Sequence, residues 1–251
     1  MQLELDTLIL FYLVLFRAVA LFTVLPFFSW RSFPVQLRLG LALALAILVT
    51  PLLPAAGMPY SVAGLVLASA HALLTGFAMG LIVRILYGAL ELAGHLLSVE
   101  MGLSMHPGFD PRTGTQSTAA AQLLTTFALV LFFLGGFHHL SISAFVRSFQ
   151  IQPPGATSLL FGSPTAIVQA GAAIFEIGVA MAAPVMAINF LVNLSFAVVG
   201  KVVPKLNVFL VSFPIRIMGG LFILSGSIGL LFNYMTGLAD NAFQLSLEIL
   251  R

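Results

Sequence analysis

Cysteine is absent from the 251 residues, and charge is scarce: 10 Lys and Arg against 8 Asp and Glu make up 7% of the chain. An ordinary soluble domain carries about 25%. The missing cysteine removes disulfide scaffolds, thiolate metal sites and cysteine nucleophiles. The missing charge leaves too few polar side chains to clothe a soluble globule of this length, which excludes a cytoplasmic enzyme and a disordered linker. No run of Lys and Arg of the kind that tracks phosphates is present, so nucleic-acid binding is excluded as well. The net charge of +2 rests on too small a difference to argue anything more. What is abundant is apolar: 60% of residues, 23 of them Phe, with a mean hydropathy of +1.12. This is the composition of a membrane protein.

A spanning helix needs about 20 mostly apolar residues. Six runs meet that need: Leu8–Trp30, Leu39–Ala56, Val62–Leu90, Thr118–Val146, Ala166–Gly200 and Leu206–Phe232. The expected fold is all-α, an integral membrane-type protein of about six hydrophobic helices. Pro26, Pro51, Pro54, Pro184 and Pro214 fall in these runs and predict kinks, with the freed carbonyls satisfied by neighbouring protein. Glu4 and Asp6 stand where a cleavable secretory signal carries Lys or Arg, so the first run reads as a helix of the mature chain.

Four polar segments separate the runs: Trp30–Arg38, Ser98–Ser117, Ser148–Thr165 and Gly200–Lys205. The third, with Pro153, Pro154, Gly155 and Pro164, reads as a linker. Past Leu238 the pattern turns amphipathic, with Asp240, Gln244, Glu248 and Arg251 on one helical stripe and Phe243, Leu247 and Leu250 off it. Arg31, Arg38, Arg112, Lys201 and Lys205 fall on one side of the runs, against Arg147 and Arg251 on the other. The positive-inside rule then places both termini on the non-cytoplasmic side.

Catalytic motifs are missing. No HExxH or GxSxG occurs; Gly102-Leu103-Ser104-Met105-His106 lacks the second glycine of a nucleophile elbow. The adjacent His138 and His139 point to different sides of a helix, poor geometry for chelation, so no metal, cofactor or enzymatic activity is expected. Five ionisable residues lie in or near the apolar runs: Arg17, Arg84, Glu91, Glu176 and Arg216. Each would cost roughly 2.5–3.5 kcal/mol at a lipid-facing helix centre, so they are expected to face protein or water. An ion path is one reading. Buried or inter-subunit ion pairs, for instance Glu176 with an arginine, are the other, and fit better because no repeated acidic relay is present.

Gly64, Ala68, Ala72, Gly76 and Gly80 recur every four residues in the third run, and Gly88 follows Arg84. Such a ladder admits close approach of another helix, from this chain or from another subunit. The Ser98–Ser117 loop joins two apolar helices by some twenty residues rich in Gly and Met. Loops of that length in compact proteins are usually functional or disordered. At membrane depth, one is tolerated only inside protein or along a cavity. A gate or plug and an ordinary solvent loop are both open on composition alone.

Two strings bear on that choice. Ala183-Pro184-Val185-Met186, then Gly200-Lys201-Val202-Val203-Pro204-Lys205-Leu206-Asn207-Val208-Phe209, then Phe213-Pro214-Ile215, closely resemble the C-terminal signature of the FliR family of flagellar export-gate proteins. That family is related to the injectisome export-apparatus T subunits. Met101-Gly102-Leu103-Ser104 followed by Phe109-Asp110-Pro111 and Gly114 resembles the family's central loop, and Gly136-Phe137-His138-His139, with Ser148-Phe149 after it, resembles its flagellar more than its injectisome branch. The resemblance covers the whole chain. Lys201 stands where the family usually has Arg, and Lys205 where Gln is common; both keep polarity. Thr115-Gln116-Ser117-Thr118 lacks a proline often found nearby.

The resemblance implies a non-enzymatic subunit of the type III export gate in the bacterial inner membrane at the flagellar basal body. Its partners would be FliP and FliQ type subunits and the FlhB type switch protein, and its substrates unfolded exported proteins. The implied fold is a FliP-like four-helix part, 1–165, followed by a FliQ-like helical hairpin, 166–251. The assembled gate would be displaced toward the periplasm. The central loop, 98–117, would close the pore, with Met101, Gly102, Ser104, Met105, Gly108, Phe109, Asp110, Pro111 and Gly114 as its residues. Gly102, Gly108 and Gly114 would supply the bends, and Met101, Met105 and Phe109 an apolar seal. Lys201, Pro204, Leu206, Asn207, Phe209 and Pro214 would set the hairpin against partner subunits. The rival classes are a small secondary transporter with Glu91 or Glu176 as coupling residue and an injectisome member.

Overall fold

The computed structural model describes residues 2–26, 28, 33–54, 61–103, 108–110, 115–156, 165–205 and 207–250. Among them it is helical nearly throughout. In chain order the helices are α1 (Gln2–Val24), α2 (Val35–Val49), α3 (Val62–Glu100), α4 (Ala119–Leu134), α5 (Phe137–Ile151), α6 (Thr165–Val202), α7 (Val208–Gly226) and α8 (Ile228–Glu248). Four helices are long and apolar enough to cross a membrane, and up to six spans result if α4 with α5 and α7 with α8 each count as one broken span. The membrane-type, all-α reading of the sequence holds.

The prolines act in two ways. Pro26 follows the end of α1, Pro34 stands at the N-cap of α2, and Pro51 sits in the 3-10 turn Thr50–Leu52 that closes α2. At Pro34 the missing N–H costs nothing, because N–H groups at a helix start lack intrahelical partners, while Pro26 and Pro51 come after the last residues of α1 and α2 and interrupt neither helix. Pro184 and Pro214 instead lie inside α6 and α7. Two glycine-marked breaks were not expected. The run from Thr118 divides at Gly135-Gly136, where Gly136 has a φ of 71° and its carbonyl accepts from His139 N at 2.9 Å. The last run divides at Ser227, between Gly226 and Ile228. In α8, Asp240, Gln244 and Glu248 are exposed while Ala242, Phe243, Ser246, Ile249 and Leu250 at its end are buried, as the amphipathic pattern requires.

α3 also exceeds its expected bounds. At 39 residues it is about 58 Å long, well beyond the roughly 30 Å of a hydrocarbon core. It does not stop at Leu90, because Glu91, His95 and Val99 continue one exposed face that Arg84 begins, while Leu90, Ala93, Leu97 and Met101 are buried. Polar residues here mark a side of the helix rather than its end.

Two compact units divide the chain. One comprises Met1–Ile85, Gly136–Gly171 and Ala239–Arg251; the other comprises Leu86–Gly135 and Ala172–Leu238. In the first, α1 is the central element: Leu10, Leu13 and Ala18 are buried, with Ile82 of α3 and Phe145 of α5. In the second, Leu86 and Leu97 of α3, Leu124 of α4 and Met181 of α6 form the core. Along α6 as a whole only 17% of its span is buried, and Phe175, Phe190, Leu191 and Leu194 are exposed. Apolar faces of that extent require lipid or another protein chain.

Candidate functional site

The segment after α3 is the site to which the sequence points. α3 is closed by Met101 N donating to Leu97 O (2.9 Å) and Gly102 N to Val99 O (3.1 Å), with Gly102 at a φ of 72°. This is the left-handed position just past a helix end that glycine fills without strain. Gly102 is required for a second reason. A Cβ there would stand 2.7 Å from the Phe213 ring of α7. Met101 is buried, and its thioether wraps the place where a Gly220 Cβ would stand, Cγ at 2.7 Å, Cε at 3.0 Å and Sδ at 3.1 Å. Within its own chain, Met101 is therefore a core residue against α7.

The return of the loop is held by different groups. Thr118, at the head of α4, accepts from Ala121 N at 3.4 Å and pairs with Ser98 at 2.5 Å, hydroxyl to hydroxyl. Ser98 also donates to Gly94 O at 2.8 Å. Gly94 admits Ala121 so closely that its Cβ would lie 2.8 Å from that of Ala121. Tyr87 OH adds a bond to Thr125 O at 3.3 Å. The loop thus leaves and re-enters through a closed neck. Beyond the neck, Gly108–Asp110 and Thr115–Ser117 form a two-stranded antiparallel ribbon, β1 and β2, with Phe109 opposite Gln116. Strands were not expected. Ser104, Met105, Pro111 and Gly114 lie outside the described residues.

The C-terminal signature forms a helix junction. Lys201 is in the last turn of α6, and Pro204 and Lys205 form the turn. Asn207 is the N-cap of α7, its side chain accepting from Leu210 N at 3.4 Å. This explains the asparagine chemically, since Asn is among the best N-caps. Leu206 lies outside the described residues; Phe209 is in the first turn of α7, and Pro214 is exposed inside it.

The small-residue ladder meets a helix of the same chain. A Cβ on Gly76 would collide with Arg17 O, and one on Gly80 would stand 2.9 Å from Val24 Cβ. Ala68 and Ala72 are buried, Gly64 is half-buried, and Gly88 is in ordinary contact with Ile174 at 3.8 Å.

The five ionisable residues divide. Arg84, Glu91 and Glu176 are exposed and Arg216 is half-buried. Arg17 is 1% exposed. Its guanidinium donates to Ser148 Oγ at 3.1 Å and Gln152 O at 3.0 Å, and lies 4.0 Å over the Phe149 ring. None of these partners is a carboxylate; dipoles and a ring face hold the cation. Gln152 continues the network. Its Nε2 donates to Leu250 O at 2.8 Å, which turns Oε1 toward His71 Nε2 at 3.1 Å. Oε1 can only accept, so His71 carries its proton on Nε2. Gln152 was not singled out in the sequence, and nothing there joined Ser148 and His71 to Arg17. A glutamine just after a helix carries no signal until its neighbours are known.

The two histidine rings at 138 and 139 lie against each other at 4.0 Å, not on opposite sides. Among the described residues no group of three or more His, Cys, Asp or Glu could hold a metal ion. A further polar residue was also missed. Asn189 in α6 is fully buried, and neither amide atom has a hydrogen-bond partner.

The class defined by this arrangement is a helical membrane protein built around a necked loop. Comparison with known proteins gives the family. The profile of the bacterial export proteins, family 1, matches residues 8–242, and the chain belongs to that family, the FliR family of flagellar export proteins. It is similar to the flagellar biosynthetic protein FliR of Pectobacterium carotovorum subsp. carotovorum, 31% identical over 93% of this chain and 90% of the relative. It is likewise similar to FliR of Bacillus subtilis strain 168, 31% identical over 96% and 93%. FliR of Escherichia coli K12 is 29% identical over 96% and 92%.

Proposed function

We propose that this chain is a non-enzymatic subunit of the bacterial flagellar type III export gate, helping to form and to close the pore through which unfolded flagellar proteins leave the cell. The observation that carries this reading is the necked loop between α3 and α4 in a chain whose relatives are named flagellar biosynthetic proteins. A loop rooted at both ends has a stable rest position and can still be pushed aside by a passing chain. The exposed apolar faces of α6 and α7 fit burial against FliP and FliQ type subunits, with an FlhB type switch protein nearby. The plan of a FliP-like part, 1–165, and a FliQ-like hairpin, 166–251, belongs to the same reading. So does a place in the inner membrane at the flagellar basal body, with the assembled gate displaced toward the periplasm.

The transporter reading loses its coupling residues, because Glu91 and Glu176 are exposed on the outside of their helices. Affinity purification of this chain from detergent tests the assembly: FliP and FliQ type subunits should come with it in fixed ratio. A monodisperse chain that binds neither would defeat the proposal. Removing residues 103–116 tests closure, and should raise ion leakage and sensitivity to salt stress while the complex still assembles. Unchanged leakage would count against the loop as plug.

A further inference from the structure

α7 touches the loop root at two consecutive residues through one of its faces. Phe213 and Gly220 are seven positions apart, which is close to two helical turns, and so they share a side of α7. Phe213 lies against Gly102, and Gly220 provides the notch in which Met101 rests. The fit has no slack at either point. A single methyl on Gly102 would meet the Phe213 ring at 2.7 Å, and one on Gly220 would meet three atoms of Met101 within 3.1 Å. The other end of the loop is tied elsewhere, by Ser98 to Thr118 and by Gly94 to Ala121, all on α3 and α4. Both roots are joined to α3, but only the Met101–Gly102 end also packs on α7. A shift of α7 would remove the contact that holds that end and leave the Ser98–Thr118 tie in place.

We infer that Gly220 and Phe213 are positioning residues that set the closed position of the loop, with α7 as the helix whose displacement releases it. This rests on the reading of the loop as the pore closure. The alternative is a passive core contact in which Met101 packs on α7 without bearing on where the loop sits. The two differ in what a change on α7, far along the chain from the loop, does to the barrier.

The test uses the assembled gate in cells, with ion leakage and export of a flagellar substrate as separate readouts and co-purification of the complex as the assembly control. Gly220→Val fills the notch and should raise the open fraction about tenfold, the effect of an overpacking cost toward the low end of its usual range. Combining it with Met101→Ala returns the lost volume and should bring leakage most of the way back. A paired substitution, Met101→Cys with Gly220→Cys, covers the case in which Gly220→Val does not assemble. The chain has no other cysteine, so oxidation should join only these two, halting export without added leakage, and a reductant should restore it.

A Gly220→Val gate that assembles and does not leak overturns the inference, as does leakage that Met101→Ala leaves unchanged. Normal export through the oxidised cysteine pair overturns it too. The loop deletion separates the two levels. If the deletion leaks and Gly220→Val does not, the closure reading stands and the grip of α7 falls. If the deletion itself does not leak, the closure reading falls, and the role of α7 with it.

Discussion

The side-chain amide of Gln152 donates to the Leu250 main-chain carbonyl at 2.8 Å, across 98 positions of sequence. With its own carbonyl taking Arg17 at 3.0 Å and its Oε1 on His71 at 3.1 Å, this residue joins α1, α3, α5 and the end of the α8 segment inside one compact unit. The junction is polar and, among the described residues, uses no carboxylate. A buried cation held by dipoles keeps its desolvation cost without a counter-ion to offset it, which leads to an ordering of substitutions at Arg17.

Arg17→Met should be tolerated better than Arg17→Lys. Methionine removes the buried charge and leaves the Gln152 carbonyl short of a donor, a cost of about 1 kcal/mol; Ser148 Oγ loses Arg17 too but still donates to Phe145 O at 2.6 Å. Lysine keeps the charge and loses both the planar fork and the stacking on Phe149, costing about 2 kcal/mol or more. Thermal unfolding midpoints of the detergent-purified protein, with any partners it retains, decide the order. A lysine variant as stable as the parent would show that charge alone is what the site needs.

Gly76 and Gly40 should respond in opposite directions to alanine. A Cβ on Gly76 runs into the Arg17 carbonyl, and helix backbone has no rotamer by which to withdraw. A loss of about 1–3 kcal/mol is expected. Around Gly40 nothing stands within 4 Å, so Gly40→Ala should gain up to about 1 kcal/mol from helix propensity alone. The same midpoint measurement covers both.

At Asn207 the expected effect is that of a lost cap. Asn207→Ala should cost about 1 kcal/mol, and Asn207→Ser or Asn207→Asp should restore most of it, because either oxygen can accept from Leu210 N. Equal losses in all three variants would mean that the asparagine serves some other contact.

Asn189 invites the reverse experiment. Its amide is buried with no partner on either atom, and unsatisfied buried groups cost about 1–3 kcal/mol. Asn189→Leu, which keeps the branching and number of heavy atoms, should raise the midpoint, whereas Asn189→Asp should lower it by burying a carboxylate. A leucine variant that loses stability would place a hydrogen-bond partner on the amide in the assembled protein.

Much of the architecture was legible before any coordinates. The apolar runs and the amphipathic end of α8 follow from local composition and period, whereas the prolines at 26 and 51, read as kinks, come at the ends of α1 and α2. The errors share a cause. Glu91 and His95 looked like the edge of a span and are one face of a continuous α3. Gly136 and Ser227 divide runs that hydropathy joins, because average hydropathy is insensitive to the backbone angles of a single residue, such as the positive φ of Gly136. At the site, the motif residues marked the loop. Its neck was not visible: Ser98 and Thr118 are ordinary residues, and Gly220 is one of a glycine pair whose notch exists only because Met101 arrives from another helix.

By itself, the sequence determined that this is a helical membrane-type protein. Eighteen charges in 251 residues point to an apolar setting, where backbone groups are satisfied within helices or closed barrels, and runs of about 20 apolar residues select helices. Its signature strings likewise pointed to the family. The tertiary structure alone decided which residues those helices bring together. Arg17 is enclosed while Arg84, Glu91 and Glu176 are exposed, although hydropathy treats all four alike. Helical period assigns a residue to a face, but whether that face meets protein depends on elements distant in the chain. The same holds for Met101, which looks like part of a loop and is core because Gly220 makes room for it.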